Sequence, residues 1–328
     1  MLSLHVTAVV GAAIIFDFIN GFHDTANAVA TSVSTRVLSP VRAVVMAAVL
    51  NFAGALISTQ VAKTVGQGIV APAAVTQAVI LAAILGAIAW NLITWYWGIP
   101  SSSSHALVGG VVGAAVAYRG FGILNATGLG EIFGALLISP AVGFIVGLAL
   151  MVGLLWLLRH AVPARVNAHF RRLQLLSAAF VAFSHGTNDA QKSMGIITMA
   201  LVASGALHSF VVPIWVKLVC ALAMALGTAA GGWKIIHTMG MRIIRLQPIH
   251  GFAAETASAV VIQTASHFGL PVSTTHVISS AIMGVGASKR LSAVRWGVAG
   301  NIVLAWVVTP PVSALLGGLA YLALGPWL

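Results

Sequence analysis

Long apolar stretches are the feature that most limits how this chain of 328 residues can fold. Five of them are near or above the roughly 20 residues that a helix needs to cross the hydrocarbon core of a membrane. They occupy residues 41–61, 73–97, 132–158, 211–230 and 298–324. Charged residues make up only 6% of the chain, whereas about a quarter is usual in soluble domains. The sequence therefore predicts an all-α polytopic membrane protein.

Two sequence motifs occur twice, in the same order. The segment GFHDTAN at 21–27 returns as GTNDAQK at 186–192. The segment IPSSSSH at 99–105 returns as LPVSTTH at 270–276. Such self-similarity predicts that the chain consists of two structural repeats.

The repeats divide the chain into three parts. We place a first transmembrane repeat at 1–158, a basic loop at 159–174 and a second transmembrane repeat at 175–328. Each repeat is expected to contain about five membrane-entering segments, with broken helices or re-entrant hairpins at the midplane. An odd number of segments inverts the second repeat relative to the first. The expected segments lie near 4–27, 41–62, 74–97, 101–118, 132–158, 176–200, 211–231, 251–268, 272–288 and 296–324.

Basic residues gather at the ends of the apolar stretches. The loop at 159–174 holds Arg159, Arg165, Arg171 and Arg172, and positively charged loops stay on the cytoplasmic side of a membrane. We therefore expect a multi-pass protein of the cell (inner) membrane, with the central loop cytoplasmic and both termini outside. This distribution and the scarcity of acids account for the net charge of +11. The expected surroundings are a lipid bilayer, and no nucleic-acid partner is expected.

Two acidic residues occupy equivalent positions in the first motif, Asp24 and Asp189. Ionisable groups inside apolar segments are costly and mark functional sites. The Gly, Asn and Thr residues around them favour a broken helix, which is tolerated where it lines a cavity. Oxygen ligands suit a hard cation, here Na⁺ at Asp24 and Asp189, and the carboxylates also suit a proton relay. A helix cap at a membrane boundary is the structural alternative.

Hydroxyl side chains follow a proline in both copies of the second motif. Proline and hydroxyl residues favour the first turn of a helix, and helix N-termini present N–H groups to anions. Packing between helices is the alternative. The resulting candidates for binding an oxyanion are Ser102, Ser103, Ser104, Ser273, Thr274 and Thr275, with Gln191 and Lys192 from the first motif.

Three further charged residues lie in or near these segments: Lys192, Glu255 and Asp17. Lys192 follows Asp189 by three residues, which favours a local ion pair. Glu255 has no acidic counterpart in the first repeat and is predicted to act in coupling or gating, with a structural ion pair as the alternative. Asp17 lies two helical turns before Asp24, either in the same cavity or near an interface.

Four histidines also fall in the motifs. A proton role and a structural hydrogen-bonding role are both open for them. They are His23, His105, His185 and His276.

At these motifs the chain resembles the inorganic phosphate transporter (PiT) family. The hallmarks of that family are duplicated Gly-x-Asn-Asp-x-x-Asn-Ala-like and Pro-x-Ser-x-Thr-His-like segments. The stretches 21–31 (GFHDTANAVAT) and 184–197 (SHGTNDAQKSMGII) look most like the bacterial low-affinity phosphate permeases. The resemblance covers almost the entire chain and also implies a homodimer.

The resemblance implies a role in cation coupling for the first motif. Asp24 and Asp189 match coupling residues, and Asn27 and Asn188 match supporting ligands. His23 stands where many sodium-coupled members have Asn. This departure fits the bacterial branch, which resembles proton symporters, and it adds His23 to the coupling residues.

The resemblance also implies that the second motif contacts phosphate through 102–104 and 273–275. Glu255 matches an acid that transport requires. The expected function is therefore secondary active import of inorganic phosphate by cation symport, with H⁺ favoured over Na⁺ and a metal–phosphate complex as one carried species.

Alternative functions differ in substrate or in coupling. A sulfate or other oxyanion symporter on the same fold is the nearest alternative, followed by an anion channel. The sequence contains no H-E-x-x-H motif and no recognisable nucleophile and base. We therefore expect no catalytic residues, no enzymatic activity and no cofactor beyond the coupling ion.

Overall fold

The protein is almost entirely helical. The computed structural model describes residues 3–327, with 83% of residues in helices. The helices of the first half are α1 (Leu4–Ser34), α2 (Pro40–Ala55), α3 (Gln60–Gly68), α4 (Gln77–Trp97), α5 (Ser103–Arg119) and α6 (Ala126–Leu157). Those of the second half are α7 (Pro163–Ala203), α8 (Ile214–Ala230), α9 (Trp233–His237), α10 (Pro248–His267), α11 (Thr274–Lys289) and α12 (Trp296–Leu324).

Several helices are long and apolar enough to cross a membrane. Among the described residues, α1, α4, α6 and α12 qualify individually. Two bent pairs also qualify: α2 with α3, bent by 73°, and α8 with the segment 233–242, bent by 65°. The predicted all-α polytopic architecture is confirmed, although two of the expected spans are bent pairs and not straight helices.

Helices of each half pack against helices of the other half. Helix α1 packs against α8, and its counterpart α7 packs against α2; α5 packs against α12 as α11 packs against α6. Asp24 of α1 lies beside His185 and Asp189 of α7, and Thr35, at the end of α1, hydrogen-bonds to Gln174 of α7. Residue numbers therefore rise along α1 as they fall along α7. The first helices of the two repeats are antiparallel, as inverted repeats require.

Helices α1 and α7 run unbroken through the first motif. The expectation of a broken helix at Asp24 and Asp189 was therefore wrong. The motif glycines serve close packing instead: a Cβ at Gly21 would collide with the backbone of α8, and one at Gly186 with the backbone of Asn51 in α2. Small residues allow membrane helices to approach in this way.

The helix breaks occur at the second motif. The chain turns at 98–102 between α4 and α5, and at 268–273 between α10 and α11. The two turns meet inside the protein, where the rings of the equivalent residues His105 and His276 lie 4.5 Å apart. The predicted meeting of two half-helix N-termini is therefore present.

The basic segment at 159–174 is only partly a loop. Helix α7 begins at Pro163, so most of the predicted loop forms its first turns. Proline at the first helical position favours this early start. The connection between the repeats consists of 158–162.

Candidate functional site

The two repeated carboxylates lie together in one buried cluster. Asp24, His185 and Asp189 each offer one ligand atom within 4.8 Å of the others, and all three side chains are buried. Helix α1 supplies Asp24, and the antiparallel α7 supplies the other two residues one turn apart. The structure therefore joins the two residues that the sequence predicted to share a function.

On the first-repeat side, Asp24 is held by its neighbour in the chain. His23 Nδ1 lies 2.7 Å from Asp24 Oδ1. The other ring nitrogen of His23 lies 3.1 Å from the hydroxyl of Thr94 and 3.3 Å from that of Ser101. This chain of contacts connects the carboxylate to the turn between α4 and α5.

On the second-repeat side, Asp189 has two nitrogen partners from its own helix. His185 Nε2 lies 3.2 Å from Asp189 Oδ2, while its Nδ1 faces the side-chain oxygen of Asn51 at 3.2 Å. The ammonium of Lys192 hydrogen-bonds to Asp189 Oδ1. The predicted local ion pair is therefore present, and both of its members are buried.

The first turn of α11 bridges the two carboxylates. Thr274 donates to Asp189 at 2.9 Å, and Thr275 donates to Asp24 at 3.4 Å. The side-chain amide of Asn27 donates to both hydroxyls, at 3.2 and 3.0 Å. The hydroxyls of this turn and the carboxylates thus form one hydrogen-bonded network.

The other hydroxyls predicted to bind an anion differ in their partners. Ser104 donates to the carbonyl of Val272 at 3.4 Å. Ser102 and Ser273 are N-caps, because they accept the backbone N–H groups of His105 at 3.2 Å and His276 at 3.3 Å. As N-caps, they stabilise the first turns of α5 and α11. The hydroxyl of Ser103, by contrast, has no hydrogen-bond partner among the described residues.

Further buried polar atoms also lack a hydrogen-bond partner within residues 3–327. Buried polar groups in proteins are almost always satisfied, so such atoms call for a ligand or an ordered water. They include the side-chain oxygens of Asn27 and Asn188, the hydroxyl of Ser193 and the carboxylate of Asp17. Unpaired donors and acceptors are therefore both available on α1 and α7.

Gln191 and Asn188 make contacts away from the carboxylates. Gln191 accepts the backbone N–H of Ala62 at 3.2 Å and donates to the carbonyl of Thr187 at 2.5 Å. The amide of Asn188 donates to Ser266 of α10 at 2.9 Å. The polar atoms of Gln191 thus fasten α3 to α7, and this contact gives no support to a role in anion binding.

Glu255 lies in a second polar cluster. It accepts hydrogen bonds from Thr31 at 2.6 Å, from Gln174 at 3.0 Å and from Ser177. Thr31 follows Asp24 by two turns of α1, about 10 Å along the helix axis. No Lys or Arg forms an ion pair with Glu255 in the described part of the chain. The structure therefore places Glu255 apart from the carboxylate pair, and its described residues do not form the structural ion pair that was the alternative for Glu255.

Sequence analysis did not single out several partners of these clusters. They are Asn51, Thr94, Thr31, Gln174 and Ser177. The available signal was a lone polar residue in an apolar stretch, as at Asn51. Such residues usually serve packing between membrane helices, so the signal does not separate site residues from others.

Comparison with known proteins identifies a family over most of the chain. The sequence model of the phosphate transporter family matches residues 20–317. The chain belongs to the phosphate transporter family.

Relatives of this phosphate transporter family member cover almost its full length. A protein of Bacillus subtilis described as a probable low-affinity inorganic phosphate transporter is 52% identical over 320 residues, which is 96% of each chain. A protein of the same description from Rhizobium meliloti is 52% identical over 316 residues, 96% of this chain and 95% of that one.

A solved structure shares the fold. The structure titled "The sodium-dependent phosphate transporter" superimposes with a TM-score of 0.89 and is 25% identical in sequence. The match covers 99% of this chain and all of that one. The multi-pass helical transporter architecture and the family are therefore consistent with each other.

Proposed function

We propose that the protein is a secondary active transporter that imports inorganic phosphate together with a cation, with H⁺ favoured over Na⁺. The main observation behind this proposal is one cluster of polar side chains. In it Asp24 and Asp189, from inverted repeats, accept hydrogen bonds from the hydroxyls of Thr275 and Thr274. Cation-binding groups and anion-binding groups thus share one network. Binding of one ion can then change the affinity for the other.

Phosphate is proposed to bind where the two helix turns meet. The N-termini of α5 and α11 point their free N–H groups and partial positive charge toward this region. Ser103 offers a free hydroxyl donor. Lys192 offers a buried ammonium, and it contacts the same carboxylate, Asp189, as Thr274 does. Phosphate oxygens match these donors.

The preference for H⁺ rests on the partners of the carboxylates. Asp24 is already in contact with His23, and Asp189 with Lys192 and His185. A hard cation such as Na⁺ requires several oxygen ligands, and here nitrogen groups occupy part of the coordination space. An imidazole beside a carboxylate suits transfer of a proton.

Charge balance explains why coupling is needed. Bringing HPO₄²⁻ into a cell against an inside-negative potential of about 100 mV costs about 4.6 kcal/mol, or about 2.3 per charge. Two monovalent cations or one divalent metal ion cancel this cost. A third monovalent cation makes import electrogenic. Inverted repeats with broken helices support alternating access to such a central site.

The distribution of basic residues supports the proposed orientation. The end of α1 adjoins the start of α7, where Arg171 donates to the carbonyl of Arg36 at 3.0 Å. We call this side of the protein the basic face. The helix ends and turns that meet there hold eleven of the sixteen Lys and Arg residues: Arg36, Arg42, Arg159, Arg165, Arg171, Arg172, Arg242, Arg245, Lys289, Arg290 and Arg295. The positive-inside rule places it in the cytoplasm, which leaves both termini outside.

Uptake into proteoliposomes tests this function. Labelled phosphate is to be measured with an imposed H⁺ gradient, with an imposed Na⁺ gradient and with neither, each with and without Mg²⁺. The proposal expects accumulation driven by the H⁺ gradient, competed by arsenate more strongly than by sulfate. Flux that is unaffected by collapse of both gradients would indicate a channel, and accumulation driven by Na⁺ alone would reverse the cation preference.

A further inference from the structure

An apolar trough runs along α12, outside the carboxylate cluster. This cavity of about 470 Å³ is lined by Trp90 of α4 and by residues of α12 from Val298 to Val308. Its mouth lies on the outer surface of the helix bundle, since Leu304 is 61% exposed. Ten residues of helix span about 15 Å, which is half of the roughly 30 Å hydrocarbon core. The trough therefore has the length of one membrane leaflet.

A basic cavity adjoins one end of the trough. It measures about 560 Å³ and is lined by Lys234, His237 and Arg242. The two cavities share Gly98 and Arg242 among their walls. None of the five acidic residues lines either cavity. Within residues 3–327, Arg242 forms no ion pair, so its charge is available to a ligand.

The basic cavity extends from the α4–α5 turn to the basic face. Trp97 and Trp233 line the end that adjoins the turn. Arg242 lies at the other end, where the carbonyl of Gly240 accepts a hydrogen bond from Ser34 at the end of α1. The Arg242 end of the combined cavity therefore lies at headgroup level and the trough along α12 lies at acyl-chain level.

We propose that this combined cavity binds one anionic phospholipid from the leaflet at the basic face. The headgroup phosphate lies between Lys234, His237 and Arg242, and one acyl chain fills the trough along α12. Basic pockets between membrane helices on the cytoplasmic side suit anionic headgroups, and an apolar trough on the outer surface of the bundle suits an acyl chain. The division into a charged end and an apolar end matches a phospholipid better than it matches a free anion.

The lipid in this position contacts the turn between α4 and α5. Ile99 and Pro100 line the trough, and the next residue, Ser101, contacts His23. The turn is also fastened to the walls of the cavity, because Thr238 donates to the carbonyl of Gly98 at 3.1 Å. Lipid occupancy therefore reaches the first-repeat side of the carboxylate cluster through three consecutive residues.

Native mass spectrometry of the full-length protein, titrated with phosphatidylglycerol or phosphatidylcholine, tests the proposal. We expect one phosphatidylglycerol per chain, retained at least about tenfold more tightly than phosphatidylcholine. Arg242→Gln is expected to remove this preference. The matched control Arg245→Gln, which removes an exposed arginine from the same face but outside both cavities named here, is expected to preserve it.

A second pair of variants tests the apolar end. Ala305→Trp fills the trough and is expected to weaken phosphatidylglycerol binding, whereas Val307→Trp, on the exposed side of the same helix, is not. Equal retention of both lipids, or retention unchanged by both Arg242→Gln and Ala305→Trp, would overturn the proposal. Displacement of phosphatidylglycerol by excess inorganic phosphate, with no effect of Ala305→Trp, would show a site for free anions and would equally overturn it.

Discussion

The two repeats build the same site with different chemical partners. In the first repeat, Asp24 contacts the imidazole of the preceding residue, His23. In the second repeat, Asp189 contacts the imidazole of His185, one helical turn earlier, and the ammonium of Lys192. The first carboxylate therefore has one nitrogen partner, an imidazole, whereas the second has an imidazole and an ammonium. We propose that Asp24 and Asp189 accordingly have different roles in coupling.

Removal of the carboxylates should have the largest effect. Asp24→Asn and Asp189→Asn are each expected to reduce phosphate uptake in proteoliposomes to background. Asp189→Asn should also destabilise the fold by about 3–5 kcal/mol, because it leaves Lys192 charged and buried without a partner. Asp24→Asn should cost about 1–3 kcal/mol, the range for a buried group that loses its hydrogen bond. Thermal unfolding in detergent measures the difference.

A double variant separates folding from transport. Asp189→Asn with Lys192→Met removes the unpaired charge, so its thermal stability should recover most of the loss while uptake stays at background. Recovery of uptake in the double variant would show that Asp189 matters only as a partner of Lys192.

Making the repeats alike should have the next largest effect. His23→Asn gives the first repeat the residue that the second has at Asn188. Loss of an acid–base group costs about 10²-fold in rate, so uptake driven by an H⁺ gradient should fall by about that factor. Uptake driven by Na⁺ should rise in the same vesicles. The reciprocal variant Asn188→His is the control, and an unchanged response of His23→Asn to both gradients would contradict the asymmetry.

Glu255 belongs to neither half of the carboxylate cluster and should behave differently. Glu255→Gln disturbs hydrogen bonds with Thr31, Gln174 and Ser177. Hydrogen bonds to charged groups contribute about 1.5–3 kcal/mol each, so we expect a loss of stability of about 2 kcal/mol and an uptake rate between that of the Asp variants and that of the natural chain. Ser258→Ala, on the same helix and bonded only to the backbone of Ala254, is the matched control.

The smallest expected effect is at the free hydroxyl. Ser103→Ala should raise the phosphate KM about tenfold, equivalent to about 1.4 kcal/mol, with no change in stability, because the hydroxyl has no partner in the described chain. Its repeat counterpart Thr274 donates to Asp189, so Thr274→Val should raise KM and lower stability together. Equal stability losses in the two variants would contradict this distinction.

Sequence patterns predicted the fold class, and they singled out two carboxylates that the structure brings together. Apolar length predicted the membrane helices, and the duplicated motifs predicted that Asp24 and Asp189 act together. Duplication is informative because two ionisable groups at equivalent buried positions are costly unless they serve a common purpose.

The details that failed depend on tertiary contacts. Gly21 and Gly186 were interpreted as helix breakers, but they allow α1 and α7 to approach neighbouring backbones. Ser102 and Ser273 cap helices, as their place after a proline favoured, and their predicted contact with phosphate stays a prediction. Gly and Ser have both roles in membrane helices, and only the neighbouring helix decides between them.

Simultaneous measurement of phosphate and proton flux in the same proteoliposomes tests the central claim most directly. Our account predicts a fixed ratio of protons to phosphate in the natural chain, and the loss of both fluxes in Asp24→Asn and in Asp189→Asn. Phosphate flux at a near-normal rate in either variant, or phosphate flux with no accompanying proton flux in the natural chain, would contradict a single coupled site built from both repeats.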